Sequence, residues 1–343
     1  MYVKIYANST KTREKGIRMT DTFPILDQYS NYMLAILGRS ELTVTEYLYD
    51  LVTFFRFWKK DRGMVSKDTP LENIMIDDIT VKDINRITTD DLLVYLIWLN
   101  RTKNLSAGSR ARKIASLRSF FKYCHSKKHI IDTNPAYDLE IPKQPKRQPK
   151  YLTLDQSTDL LKAAYESPTE SNERDYCMLT LFLNCGMRLA ELRGIDIDDI
   201  HDTTLTVIGK GNKERTVYLN KACLDAIADW LPKRAEINIK PDHKKALFVS
   251  KRGTRISDDM IQIVIKRLML QAGIDTKVYS VHKLRHTAAT LMYKYGHVDI
   301  RALQMILGHQ SVSTTQIYTH VDDESLQSAV EKNPLSSFDP DQK

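Results

Sequence analysis

Apolar residues recur at three- and four-residue spacing through most of the chain, which predicts a mainly α-helical protein. From Thr22 the pattern predicts one helix over 23–37 and a longer one in which Leu48, Leu51, Val52, Phe55 and Trp58 share a face, ended by Gly63. A third helix follows Thr88 or Thr89 as cap. It would bury Leu92, Leu93, Leu96 and Leu99 and place Asp90 and Asp91 at its positive end. A fourth, over 107–126, turns Ile114, Leu117, Phe121 and Cys124 inward and leaves Arg110, Arg112, Lys113, Arg118 and Lys122 elsewhere on its surface. Such a helix is either phosphate-facing or simply a solvated basic face.

The pattern then breaks. Residues 141–150 hold three prolines and four basic residues and no acid, which predicts an extended linker whose charge, including Lys146 and Arg147, suits a phosphate backbone. Beyond Tyr151, Thr153 and Gln156 form a capping pair that opens a second domain. A helix over about 173–186 precedes Gly186-Met187-Arg188-Leu189-Ala190-Glu191-Leu192. Alternation over 204–210 and 215–219, broken at Gly211-Asn212, predicts a β-hairpin, and 247–250 is a further candidate strand.

The last third is helical by pattern. In the helix beginning at Val281, His282 and Arg285 are three residues apart and so share a face. The next helix, with Leu303 and Leu307, should stop at Gly308 in a left-handed cap with His309 just beyond it. Tyr318 lies nine residues past His309, in a segment that begins a new polar helix. After 322 only Leu326, Ala329 and Val330 form an apolar stripe, too small for a core of its own and suited to docking.

Composition narrows the partners. At 343 residues and 42% hydrophobic content the chain can build two cores, and its net charge of +8 favours an anionic partner. No apolar run approaches the roughly 18 residues of a membrane span, and the polar, basic first twenty residues lack a signal-peptide core. The expectation is a cytoplasmic, nucleic-acid-associated protein with no membrane role. Cys124, Cys177, Cys185 and Cys223 lack both disulfide-framework and zinc spacing and are expected to be reduced and mostly buried. Asp196, Asp198, Asp199 and Asp202 are expected to cap a turn rather than hold a metal, and no cofactor is called for.

A helical histidine is usually a packed or solvated residue, and a tyrosine usually packing. The combination carries the signal. A phosphodiester resists attack because its oxygens repel nucleophiles and its alkoxide leaves poorly, so a catalyst must neutralise the phosphate, align a nucleophile and protonate the leaving oxygen. Arg188 and Arg285 suit the clamp, because a guanidinium stays charged and its fork matches two oxygens. His282 and His309 can donate to the phosphate, with His282 the candidate base. Lys210 can serve as general acid, and Tyr318 as the nucleophile.

The order His-x-x-Arg-His, Leu-Gly-His and then Tyr resembles the catalytic half of the tyrosine recombinases, the phage-integrase or Xer-like family. Arg188 fits the family's first-arginine motif, Glu191 its usual carboxylate partner, and Lys210 the hairpin lysine, with Lys213 the runner-up. The wording from Ser109 to Phe121 is similar to the family's DNA-facing helix. The resemblance implies a basic leader over 1–21, too short for an arm-binding domain, and a helical, SAM-like core-binding domain over 22–130. It further implies a linker over 131–150, a mixed α/β catalytic domain with a small antiparallel sheet over 151–321, and a tail over 322–343 that docks on a neighbouring protomer. The implied function is site-specific recombination of double-stranded DNA core sites through a 3′-phosphotyrosine, without metal or ATP, by a tetramer on two sites. A second recombinase or an accessory factor is admitted as a partner. Chromosome-dimer resolution and mobile-element integration fit equally. The alternatives are a type IB topoisomerase-like enzyme and a non-catalytic DNA-binding protein on the same scaffold.

Overall fold

Helix starts in this chain are set by short polar side chains. Ser40, Thr80, Thr88, Ser106, Thr153, Asn220, Ser257 and Asp299 each accept a hydrogen bond from a backbone N–H of the first turn, satisfying donors the helix cannot pair itself. The computed structural model describes residues 21–141, 150–209, 213–296, 298–308 and 315. The chain folds as two units, one on either side of 142–149.

The first unit is all helical: α1 (Pro24–Ala35), α2 (Glu41–Asp61), α3 (Val81–Asn85), α4 (Thr89–Arg101) and α5 (Ala107–Ser126). Its core is aromatic. Phe23, Phe54, Phe55, Tyr95, Phe120 and Phe121 meet mostly edge to face, with Phe23 and Phe55 centroids 4.9 Å apart. α4 begins at a capping box in which Asp91 accepts from the Thr88 N–H at 2.8 Å and also holds Arg62 at 2.7 Å.

Three details differ from the expectation. α3 was too short to stand out in the apolar pattern. On α4 the buried positions are Leu92, Tyr95 and Leu99, while Leu93 is 46% exposed, because the chain's other helices cover a narrower face than four leucines would fill. The third concerns α5. Lys113 is buried there and its ammonium bonds Asp50 of α2 at 2.8 Å, so the expectation of Lys113 as a phosphate contact is corrected: its charge is spent inside the unit. Arg112 is half-exposed and is tied to the same carboxylate at 2.7 Å and to Glu46 at 3.2 Å. Arg118 is exposed and Arg110 half-buried.

The second unit comprises α6 (Leu154–Tyr165), α7 (Asn172–Cys185), α8 (Leu189–Gly194), β1 (Ile200–His201), β2 (Thr204–Ile208), β3 (Glu214–Tyr218), α9 (Lys221–Ala235), α10 (Asp258–Gln271), α11 (Val281–Tyr295) and α12 (Ile300–Leu307). α7 is the axis of the unit. Every residue from Cys177 to Leu183 is buried, because α6, α9 and α11 pack around it. A helix apolar on all sides has to be central. The strands form one antiparallel sheet in the order β1-β2-β3, with Leu205 opposite Val217 and Val207 opposite Arg215. β1 was not anticipated, since two residues carry no alternation. The segment 247–250 makes only an isolated bridge, Val249 to Arg255, and is not a strand. Asp196 and Asp199 cap a short turn, as expected, with Asp196 N–H donating to Asp199 at 2.8 Å. All four cysteines are buried thiols, and Cys185 lies 3.7 Å from Cys223 of α9.

The α2–α5 ion pair generates a prediction. Burial pushes the Asp50 carboxyl above its ordinary range, and Lys113 and Arg112 draw it back only in part. Lys113→Met leaves the buried Asp50 with only the half-exposed Arg112 as a partner and should cost up to about 3–5 kcal/mol in denaturant unfolding, whereas the double variant with Asp50→Leu should recover most of the loss. A double variant no more stable than the single would contradict this.

Candidate active site

Glu191 occupies the third position of α8, where its carboxylate can reach back to the helix start. It accepts the Arg188 N–H at 2.8 Å, which fixes the turn between α7 and α8. Its side chain is almost fully buried, so its charge demands partners. Arg188 supplies Nη1 at 2.7 Å to Oε1, and Arg215 of β3 supplies Nη2 at 2.9 Å to Oε2. Arg285 of α11 brings Nη1 to 3.8 Å of Oε2. One anion therefore gathers three guanidiniums from three separate elements.

Among the described residues, further guanidinium bonds go to carbonyls at two helix ends. α7 stops at Gly186 and α12 at Gly308, both in the left-handed region at φ 60° and 64°. Arg285 donates to Gly186 O at 2.6 Å and to Leu307 O at 2.5 Å. Arg188 donates to Gly308 O at 3.2 Å, and Arg215 to Ile306 O at 2.6 Å. These are carbonyls a helix leaves without internal partners, and the helix dipole makes them partly negative. Glycine is required for space as well as for φ. A Cβ at Gly186 would lie 2.8 Å from Leu307 Cδ2, and one at Gly308 would lie 2.7 Å from Arg215 Cδ.

Arg188 keeps about a third of its side chain exposed, whereas Arg285 is almost fully buried. His282 sits one turn before Arg285 on α11, with the His286 ring edge-on at 4.8 Å. Its side chain is exposed, yet partial desolvation by the surrounding protein, then the positive charges of Arg285, Lys283 and Arg188, push its pKa below the ordinary value of 6.5. At neutral pH it is therefore an unprotonated imidazole able to accept a proton.

The structure thus brings together Arg188, Glu191, His282 and Arg285. Lys210, His309, Tyr318, Lys146 and Arg147 lie outside the described residues. The flanks of two of them are visible. Gly209 N–H donates to Lys213 O at 2.8 Å across the hairpin end, and a Cβ at Gly209 would lie 3.5 Å from Glu191, so the hairpin closes beside the carboxylate. Gly308, the residue before His309, sits over Arg215. Arg215 itself was missed from the sequence. Its signal was faint: it shares the inward face of β3 with Val217, and an inward arginine needs an acid.

A model of the phage integrase family matches residues 150–325, and one of the phage integrase N-terminal SAM-like domain matches 71–128. The tyrosine recombinase XerC of Caldanaerobacter subterraneus subsp. tengcongensis is 51% identical over 91% of this chain and 87% of its own. The chain belongs to the phage integrase family of tyrosine recombinases. It is of the Xer type, an enzyme of site-specific DNA recombination. XerC of Alcanivorax borkumensis is 36% identical over 77% of this chain and 83% of its own. The fold is that of solved recombinases. A XerH recombinase bound to a palindromic difH substrate matches at TM-score 0.66 with 21% identity, covering 90% of this chain and 84% of that one. A Tn1549 transposon integrase in complex with circular intermediate DNA matches at 0.62 with 19% identity, covering 91% and 100%. The SAM-like helical domain and the mixed α/β domain with its small sheet, expected from the resemblance, are both present.

The His282 environment has a consequence for stability. Its folded pKa is depressed, so between that value and 6.5 the unfolded chain binds the extra proton. The stabilisation is present above 6.5 and is lost as pH falls through the folded value. NMR titration of labelled histidines should find the His282 resonance titrating below the ordinary value of 6.5, and His282→Gln should flatten the slope of unfolding free energy with pH in that window. A His282 midpoint at or above the ordinary value would contradict the account.

Proposed function

We propose that Tyr318 is the nucleophile of strand cleavage and that Arg188 and Arg285, gathered at Glu191, form the phosphate-binding side of its pocket. The observation that carries this reading is the convergence of Arg188, Arg285 and His282 on one site where, among the described residues, three guanidiniums outnumber one carboxylate. The excess positive charge is what a scissile phosphate would meet. Arg188, the more exposed of the pair, makes the direct fork contact, and Arg285 adds a buried, fixed charge behind it.

The phenol oxygen attacks phosphorus, its proton passing to neutral His282, while the bond from phosphorus to the 5′ oxygen breaks and Lys210 protonates that oxygen. The products are a 3′-phosphotyrosine and a free 5′ hydroxyl. His309 donates to a nonbridging oxygen. Reversal with a new 5′ hydroxyl reseals the strand, and because the ester bond is retained no external energy source or cofactor is needed.

In this reading residues 22–130 form the core-binding domain, with Arg110, Arg112 and Arg118 on its DNA-facing helix. The linker over 131–150, through Lys146 and Arg147, straps the phosphate backbone, and 151–321 carries the chemistry. The tail over 322–343 docks on a neighbouring protomer within a tetramer on two duplex core sites. A lambda integrase tetramer has been solved on a Holliday junction, which supports that assembly by analogy. The enzyme works at the chromosome or on an excised element, in the cytoplasm, with a second recombinase or accessory factor as a further partner.

A nicked suicide substrate, which loses its 5′ hydroxyl fragment by diffusion, separates the outcomes. The unaltered chain should accumulate a covalent adduct, and Tyr318→Phe should bind the same site with none. Cutting and joining by Tyr318→Phe would overturn the assignment.

A further inference from the structure

Arg215 belongs to no role assigned so far, yet it bonds two elements flanking the pocket, α8 through Glu191 and the last turn of α12. Its three guanidinium nitrogens are all committed within the protein: Nη2 to Glu191 Oε2 at 2.9 Å, Nε to Glu191 Oε1 at 3.5 Å and Nη1 to Ile306 O at 2.6 Å. It is also nearly enclosed, with 13% of its side chain exposed, against 34% for Arg188. Enclosed in this way, it is less open to a substrate than Arg188, which keeps a third of its side chain exposed. It holds other groups.

What it holds is specific. Through Glu191 it faces Arg188, whose Nη1 shares Oε1 with Arg215 Nε. Through Ile306 O it fixes the last turn of α12, and its Cδ packs so close beneath Gly308 that a Cβ there would approach to 2.7 Å. It stands on the strand that follows the hairpin end where Gly209 and Lys213 pair. So it joins the hairpin bearing Lys210, the carboxylate that orients Arg188, and the helix end from which the chain continues to His309.

We propose that Arg215 is a positioning residue for strand cleavage, acting through Glu191 on Arg188 and through the Ile306 carbonyl on the last turn of α12. The inference rests on the recombinase reading above. Loss of its charge acts twice: Glu191 loses a direct partner and pulls harder on Arg188, and the α12 end loses one of its three arginine contacts. Among the described residues, the charged and titratable groups facing Glu191 are Arg188 of its own helix, Arg215 of β3 and Arg285 of α11, with His282 one turn from Arg285. α12 contributes carbonyls. Burial alone would raise the Glu191 pKa, and Arg215, followed by Arg188, brings it below the ordinary glutamate value.

The test uses the full chain with Arg215→Met and Arg215→Lys. Single-turnover cleavage of saturating suicide substrate should fall about tenfold to a hundredfold in Arg215→Met, the scale typical of residues that orient a catalytic group, with site affinity changed by less than about threefold. Arg215→Lys should recover part of the rate, because an ammonium can hold Glu191 but not Ile306 as well. The same protein, labelled with ¹³C at glutamate carboxyls and assigned through Glu191→Gln, should show the Glu191 titration moving up by about one pH unit or more in Arg215→Met. A purely packing role would leave that titration in place. If Arg215→Met does not fold, Arg215→Gln, which keeps a donor for Ile306 and loses the charge, carries the same measurements. Cleavage within about threefold of the unaltered chain, or an unmoved Glu191 titration, would overturn the inference. Failure of the unaltered chain to form any adduct would instead defeat the recombinase reading, and the Glu191 titration would still decide whether Arg215 governs that carboxylate.

Discussion

A single buried carboxylate makes the rest of the catalytic unit possible. Three guanidiniums within reach of one another repel, and in a low-dielectric interior that repulsion would drive the elements bearing them apart. Glu191 offsets it while leaving a positive excess, and its own burial is tolerable only because Arg188 and Arg215 bond it directly. The carboxylate and the arginines therefore stabilise one another's burial. Residues 188, 215 and 285 are far apart in sequence, so their meeting fixes how α8, the hairpin and α11 come together.

The two helix ends complete that arrangement. Gly186 and Gly308 both turn left-handed, and the terminal carbonyls of α7 and α12 are delivered to the same three arginines. Each partner solves the other's problem: orphan acceptors at helix C-termini and surplus donors on buried guanidiniums. Because the Gly186 carbonyl sits at the end of the buried α7 and the other three at the end of α12, the arginines are held by backbone acceptors before any phosphate arrives. Preorganised charge of this kind needs no rearrangement at the moment of reaction.

Much of this was legible in the sequence because it is local chemistry. Caps such as Thr88 with Asp91 and Thr153 with Gln156 announce helix starts, and the bounds of α5 follow from its own periodicity. The left-handed stop at Gly308 and the shared face of His282 and Arg285 follow from spacing alone. What was not legible depends on partners distant in the chain. Whether Lys113 faces water is decided by Asp50, 63 residues away. The exposure of Leu93 depends on how much of α4 its neighbours cover. Arg215 acquires a role only when Glu191 and α12 are placed beside it, and β1 exists only because β2 is there to pair with it. Motif order located the chemistry; tertiary packing showed which charges are presented and which are consumed.

The most direct measurement is a crystal structure of the chain trapped covalently on a nicked core site. The account predicts Tyr318 Oη joined to the 3′ phosphate, a nonbridging oxygen within hydrogen-bond distance of the Arg188 guanidinium, and Glu191 still bonded to both Arg188 and Arg215. A phosphate bound away from Arg188 and Arg285, with Tyr318 from neither its own chain nor an adjacent copy able to reach their pocket, would contradict it.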